Sequence, residues 1–143
     1  MNIKDLSDHI IGLAQKNHIP ITNLHLQKIL YFTLKYCIKK NLFTEDQLEE
    51  LYNEPFMVWR YGPVEKSIYD RYKIYGSYPI TEEHCVNKEF ENLNQIILTL
   101  LKRDPFELVR ETHSEEYWQK NKEKIKGWRS DVSYSLSNIK NGY

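Results

Sequence analysis

The sequence predicts a mostly α protein, a compact single-domain bundle of about six helices with at most a minor short strand or hairpin near residues 56–60. Three observations predict it. Apolar residues recur at helical spacings through most of the chain, which marks helix faces. Helix start and stop residues flank those stretches. Only one short run, Phe56-Met57-Val58-Trp59-Arg60, is β-branched and aromatic enough for a strand, and an extended loop suits it equally. A length of 143 residues with 41% apolar side chains suits one core.

Each element follows in order. Ile3, Leu6, Ile10 and Leu13 share one face of a helix over 3–16, which the Asn17 to Pro20 stretch ends. Thr22 caps a second helix over about 23–40. Its apolar stripe, from Leu26 through Ile29, Leu30, Leu34, Cys37 and Ile38, is wide, as in a central helix. Thr44 and Gln47 form a capping box for a short third helix with Leu48, Leu51 and Tyr52 inward, which Glu54-Pro55 ends. Tyr61-Gly62-Pro63 is a turn, and Pro63 fits the first position of a fourth helix carrying Val64, Ile68, Tyr72 and Tyr75 inward up to Gly76. Residues 77–86 read as a polar loop. Phe90, Leu93, Ile97, Leu100 and Leu101 define a helix over about 87–103. Asp104-Pro105 opens another, with Phe106, Leu108 and Val109 inward to about Glu111. Residues 115–127 read as a charged helix or loop, and 130–143 as a tail that frays in part.

Composition narrows function. The net charge is zero, and the halves balance, ten Lys and Arg against nine acids in 1–76 and ten against eleven in 77–143. Phosphate-driven binding needs a clustered positive excess, so nucleic acid is disfavoured as a partner. The basic run Lys120, Lys122, Lys124, Lys126 and Arg129, flanked by Trp118 and Trp128, is the one local exception and reads equally well as a solvated face. No apolar run is long enough to span a bilayer, and no secretory leader is visible. Two isolated cysteines, Cys37 and Cys85, make no disulfide framework, so a cytoplasmic setting is expected.

Catalytic and cofactor patterns are missing. The five histidines make no zinc signature, and the five glycines are too scattered for a phosphate cradle. No catalytic residue, cofactor or metal is expected. His113 with Glu115 or Glu116 is the nearest approach to an acid–base pair, but no nucleophile accompanies it. A hydrogen-bonded histidine fixing a helix corner is the simpler reading.

Three blocks together resemble the Panacea domain, also called SocA-like or DUF4065. Ile21-Thr-Asn-Leu-His-Leu-Gln-Lys-Ile-Leu-Tyr-Phe32 is similar to its "(I/L)TNLKLQKLLYF" start. Val58-Trp-Arg-Tyr-Gly-Pro-Val64, followed by Tyr69, Tyr72, Tyr75 and Gly76, resembles its "W-x-YGPV…Y…Y…YG" centre. Leu108, Thr112-His113 and Trp118 resemble its "L…TH…W" end, with Tyr117 where the family usually has proline. The resemblance covers about residues 5–130 and marks Gln27, Lys28, Trp59, Gly62, Pro63, Thr112, His113 and Trp118 as motif residues with a structural role. It implies a bacterial or prophage protein that neutralises a toxin by direct contact. The alternatives it implies are an adaptor delivering a toxin to a AAA+ protease, or a phage-encoded inhibitor of a host defence protein.

The expected partner is therefore a protein. Six of the eleven tyrosines fall between residues 52 and 78, and tyrosine suits half-wet, partner-facing surfaces. Arg60, Tyr61, Tyr69, Tyr72 and Tyr75 are the expected partner-binding residues.

Overall fold

The computed structural model describes residues 1–142. Within them the chain forms α1 (Ile3–Lys16), α2 (Asn23–Lys39), α3 (Glu45–Leu51), β1 (Phe56–Trp59), β2 (Gly62–Glu65), α4 (Lys66–Tyr72), α5 (Asn94–Leu101), α6 (Pro105–His113), α7 (Glu116–Asn121) and α8 (Leu136–Lys140). The fold is mostly α with one two-stranded antiparallel hairpin. Among the described residues no helix is long and apolar enough to cross a membrane.

The second helix is the axle. It packs on α1, β2, α4, α5, α6 and α8. Leu26, Ile29, Leu30, Tyr31, Leu34 and Cys37 are all fully buried. So are its polar residues Gln27, Lys28 and Thr33, with His25 and Lys35 nearly so. Only a narrow stripe of α2, Leu24, Phe32, Tyr36 and Lys39, reaches the surface, so polar side chains elsewhere on it have no solvent face and must each find a partner or carry an unmet desolvation cost. His25 Nε2 lies 3.0 Å from the Leu100 carbonyl. Lys35 pairs with the buried carboxylate of Glu115, which also accepts from the Tyr31 hydroxyl. Gln27 and Lys28 reach the hairpin, while the Thr33 hydroxyl is left without a hydrogen-bond partner among the described residues.

Three expectations are corrected here. Pro63 does not open a helix. Residues 62–65 are β2, paired with β1 in the register Phe56↔Glu65, Met57↔Val64, Val58↔Pro63 and Trp59↔Gly62. The helix begins at Lys66, because the Glu65 carboxylate caps it by accepting from the Ser67 and Ile68 amides. Phe106 is not inward: it is 56% exposed. The helix expected over 87–103 starts as a 3-10 segment, Lys88–Leu93, before α5.

The end of the chain, expected as a tail that frays in part, is held by hydrogen bonds. Residues 130–142 are docked, and Tyr143 lies outside the described residues. The Ser130 hydroxyl donates to the Val58 carbonyl (2.6 Å), the Val58 amide to Val132 (2.8 Å) and the Tyr134 amide to Phe56 (2.8 Å). The segment thus lies along the outer edge of β1, satisfying an otherwise open strand edge. Tyr134 then enters an aromatic cluster with Tyr31 (5.6 Å between ring centres) and Tyr117 (4.9 Å). Ser135 and Asn138 close a capping box on α8, whose Ile139 is fully buried.

Tyr134 is a test of this docking. Its hydroxyl is buried with no hydrogen-bond partner among the described residues. Tyr134→Ala is expected to cost about 3–5 kcal/mol in denaturant unfolding. Tyr134→Phe is expected to be neutral or slightly stabilising, since it removes an unsatisfied polar atom. A neutral alanine variant would mean that the segment is not packed.

Candidate functional site

The hairpin is held from beneath by side chains from three helices. The Gln27 amide faces the Glu65 backbone as a neighbouring strand would: Nε2 donates to the Glu65 carbonyl (3.1 Å), and Oε1 accepts from the Glu65 amide (2.8 Å). Lys28 Nζ donates to the Pro63 carbonyl at 2.8 Å. Pro63 has no N–H, so its carbonyl is the one backbone polar group it offers. From α6, the Thr112 hydroxyl sits where a side chain on residue 62 would be. A Cβ there would lie 2.4 Å from Thr112 Oγ1 and 3.2 Å from Lys28 Nζ, and Gly62 has φ +101°. Only glycine meets both demands.

The tip is fixed by α6 and α7. His113 Nε2 lies 2.9 Å from the Arg60 carbonyl, and Trp118 Nε1 donates to the Trp59 carbonyl at 2.9 Å. The two rings stack with centres 4.0 Å apart. The imidazole is thus committed to one backbone oxygen, and burial pushes its pKa below the ordinary histidine value. Glu115 is enclosed and engaged by Lys35 and Tyr31. The acid–base pair considered from sequence is therefore not assembled with Glu115. Every motif residue, Gln27, Lys28, Trp59, Gly62, Pro63, Thr112, His113 and Trp118, belongs to this one clamp.

Beside the hairpin lies a groove of about 590 Å³, lined by Trp59, Tyr61, Tyr69, Phe106 and Trp128 together with Asn23, Lys73 and Arg129. Tyr61 and Trp128 rings are 5.4 Å apart, and Trp59 meets Tyr69 edge-on at 5.2 Å. The Arg129 guanidinium lies 4.4 Å from the Trp59 ring centre, and Arg60 lies 5.4 Å from that of Trp128. Tyr61, Phe106 and Trp128 are 39%, 56% and 57% exposed. The wall is continuous with the clamp because the Arg60 amide donates to the Trp128 carbonyl (2.8 Å).

The five expected partner-binding residues divide. Arg60 and Tyr61 are exposed at the hairpin tip, and half-buried Tyr69 lines the groove. Tyr72 is buried, so the expectation that it faces a partner is corrected. Its hydroxyl donates to Glu82 (3.1 Å) and lies 3.1 Å from His84 Nε2. The Tyr75 hydroxyl accepts from the Glu82 amide (3.1 Å). These two phenols fasten the 77–86 loop, a use that helical spacing does not disclose. Sequence reasoning missed Phe106, which its apolar nature assigned to the core, and Asn23. Trp128 and Arg129 stood out only as the end of a basic run.

Among the described residues no group of three or more His, Cys, Asp or Glu side chains is placed to hold a metal ion. The chain matches no family model, no curated protein and no solved structure.

Lys28 supplies a test of the clamp. It is fully enclosed, and burial pushes its amine from 10.5 down to about 7. Between those values the unfolded chain binds a proton that the folded chain does not. Folding stability should therefore rise with pH above 7, by at most about 1.4 kcal/mol per pH unit. The window closes near pH 9, where the buried Cys37 thiol, raised to about 12, begins to oppose it. Lys28→Met should flatten this rise in denaturant unfolding measured from pH 7 to 9. Equal slopes for both proteins would mean that the amine stays charged when folded.

Proposed function

We propose that this chain is an antitoxin-like cytoplasmic protein that neutralises a cognate toxin by direct contact, with no chemistry at its own surface. The observation that carries this reading is the patch around the hairpin tip. Tyr61, Trp128 and Phe106 are exposed together on a clamped support, with Arg60 and Arg129 stacked against neighbouring rings. Aromatic and arginine side chains dominate the energetics of protein interfaces. A pre-ordered patch also loses less side-chain freedom on binding. The three sequence blocks that resemble Panacea domains support the same reading, since they meet at this hairpin.

The engaged state of His113 and Glu115 supports a non-catalytic role. Zero net charge favours a protein partner over nucleic acid. A proteolysis adaptor or a phage-borne inhibitor of host defence would use the same kind of surface, and the fate of the partner separates them. An adaptor shortens the partner's half-life, whereas an occluding antitoxin leaves it unchanged.

The test is co-expression with the product of the adjacent gene. That product alone should arrest growth, and this chain should restore it. Tyr61→Ala with Trp128→Ala should weaken neutralisation about tenfold or more, corresponding to at least about 1.4 kcal/mol, with the melting temperature little changed. A product that is harmless alone, or that stays toxic beside the unaltered chain, would refute the proposal.

A further inference from the structure

We infer that the groove beside the hairpin binds an extended segment of the partner protein, one that places an aromatic side chain next to a carboxylate. This rests on the protein-binding reading above and adds what the partner must present.

The chemistry of the groove is of three kinds. Its walls are aromatic, from Trp59, Tyr61, Tyr69, Phe106 and Trp128, and its volume falls within the range of about 300–1,000 Å³ typical of ligand clefts. Flat rings at its sides suit another ring in edge or offset contact. Its charged groups are cationic. On its lining, Arg129 lies over Trp59 with Tyr69 beside it, and Lys73 is nearby; Arg60, next to the lining rather than on it, lies over Trp128. Neither arginine donates a side-chain hydrogen bond to any described residue, so their N–H groups stay available. The nearby acid, Asp70, is shared between Lys66 (2.7 Å) and Lys73 (3.6 Å), and Arg129 also lies within its electrostatic reach without an ion-pair contact. A guanidinium lying over a ring keeps its in-plane donors free for a carboxylate, which it grips in a two-point contact.

The third feature is Asn23. Only 4% of this residue is exposed, yet it lines the groove. Its Nδ2 donates to the Tyr69 carbonyl (3.1 Å), while its Oδ1 is buried with no hydrogen-bond partner. An unmet buried acceptor costs about 1–3 kcal/mol. Once the Asn23 amide turns towards the groove, an extended peptide, with a backbone N–H at every residue, supplies the missing donor whatever its side chains are. A nucleotide would also stack on the rings and meet the arginines. However, the chain has no glycine-rich cradle for phosphate and no excess positive charge.

The experiment pans a random short-peptide display library against the full chain, then measures selected peptides by Trp fluorescence and by amide chemical shifts. Selected sequences should pair an aromatic residue with Asp or Glu. Arg129→Glu should weaken them by about tenfold or more and shift selection towards basic peptides, while Trp128→Ala weakens both sets. Several results would overturn the inference: no enrichment, enrichment without acid or aromatic residues, or binding indifferent to Arg129→Glu. So would groove shifts produced by adenosine monophosphate when no peptide is enriched, which would mark a nucleotide site. Peptide selection without toxin neutralisation would refute the antitoxin reading and leave the groove standing. Neutralisation that survives Arg129→Glu, with no peptide selected, would do the reverse.

Discussion

The arrangement depends on two side chains of one buried helix acting as the third strand of a hairpin. Gln27 exchanges both hydrogen bonds with the Glu65 backbone, and Lys28 caps the Pro63 carbonyl. A two-stranded hairpin is marginal alone in water. Here the outer edge of β2 is closed by polar groups projecting from α2, and the outer edge of β1 is closed by residues 130–134. Buried polar networks are costly when incomplete and specific when complete. This one fixes the hairpin in register because a shift of one residue would leave the Gln27 amide facing the wrong backbone groups.

The surface follows from the support. His113 and Trp118 hold the Arg60 and Trp59 carbonyls, so the turn that carries Arg60 and Tyr61 cannot tilt independently of α6 and α7. Trp128 is tied to the same turn through its carbonyl. Apolar rings that would gain from collapsing into the core are instead held at the surface, half in water. Exposed aromatic patches on a rigid support are characteristic of interaction sites. The stacked arginines add charge without adding mobility, since each guanidinium rests on a ring.

Much of the fold was legible in the sequence because helix faces and caps are local. The Thr22 and Thr44 caps, the Pro105 start and the wide stripe of α2 each follow from neighbouring residues. The hairpin strand β2 was not legible. Gly-Pro is a sound helix opening locally, and what overrides it is a contact from Gln27, thirty-eight residues away. The docked tail escaped for the same reason: a Ser- and Asn-rich stretch reads as loose until the free edge of β1 is known. At the site, the motif residues were visible as a pattern, but their convergence was not. Tyr72 and Tyr75 share a helical face with Ile68, and only the fold of the 77–86 loop reveals that their hydroxyls are used internally.

Native-state hydrogen exchange of the hairpin amides tests the central claim most directly. The Glu65 amide, bonded to Gln27, and the Val58 amide, bonded to Val132, should exchange only through near-global unfolding, and Gln27→Ala should release Glu65 well before Val58. Exchange of both amides as fast as in the exposed 77–86 loop, unchanged by that substitution, would contradict a hairpin locked by the central helix.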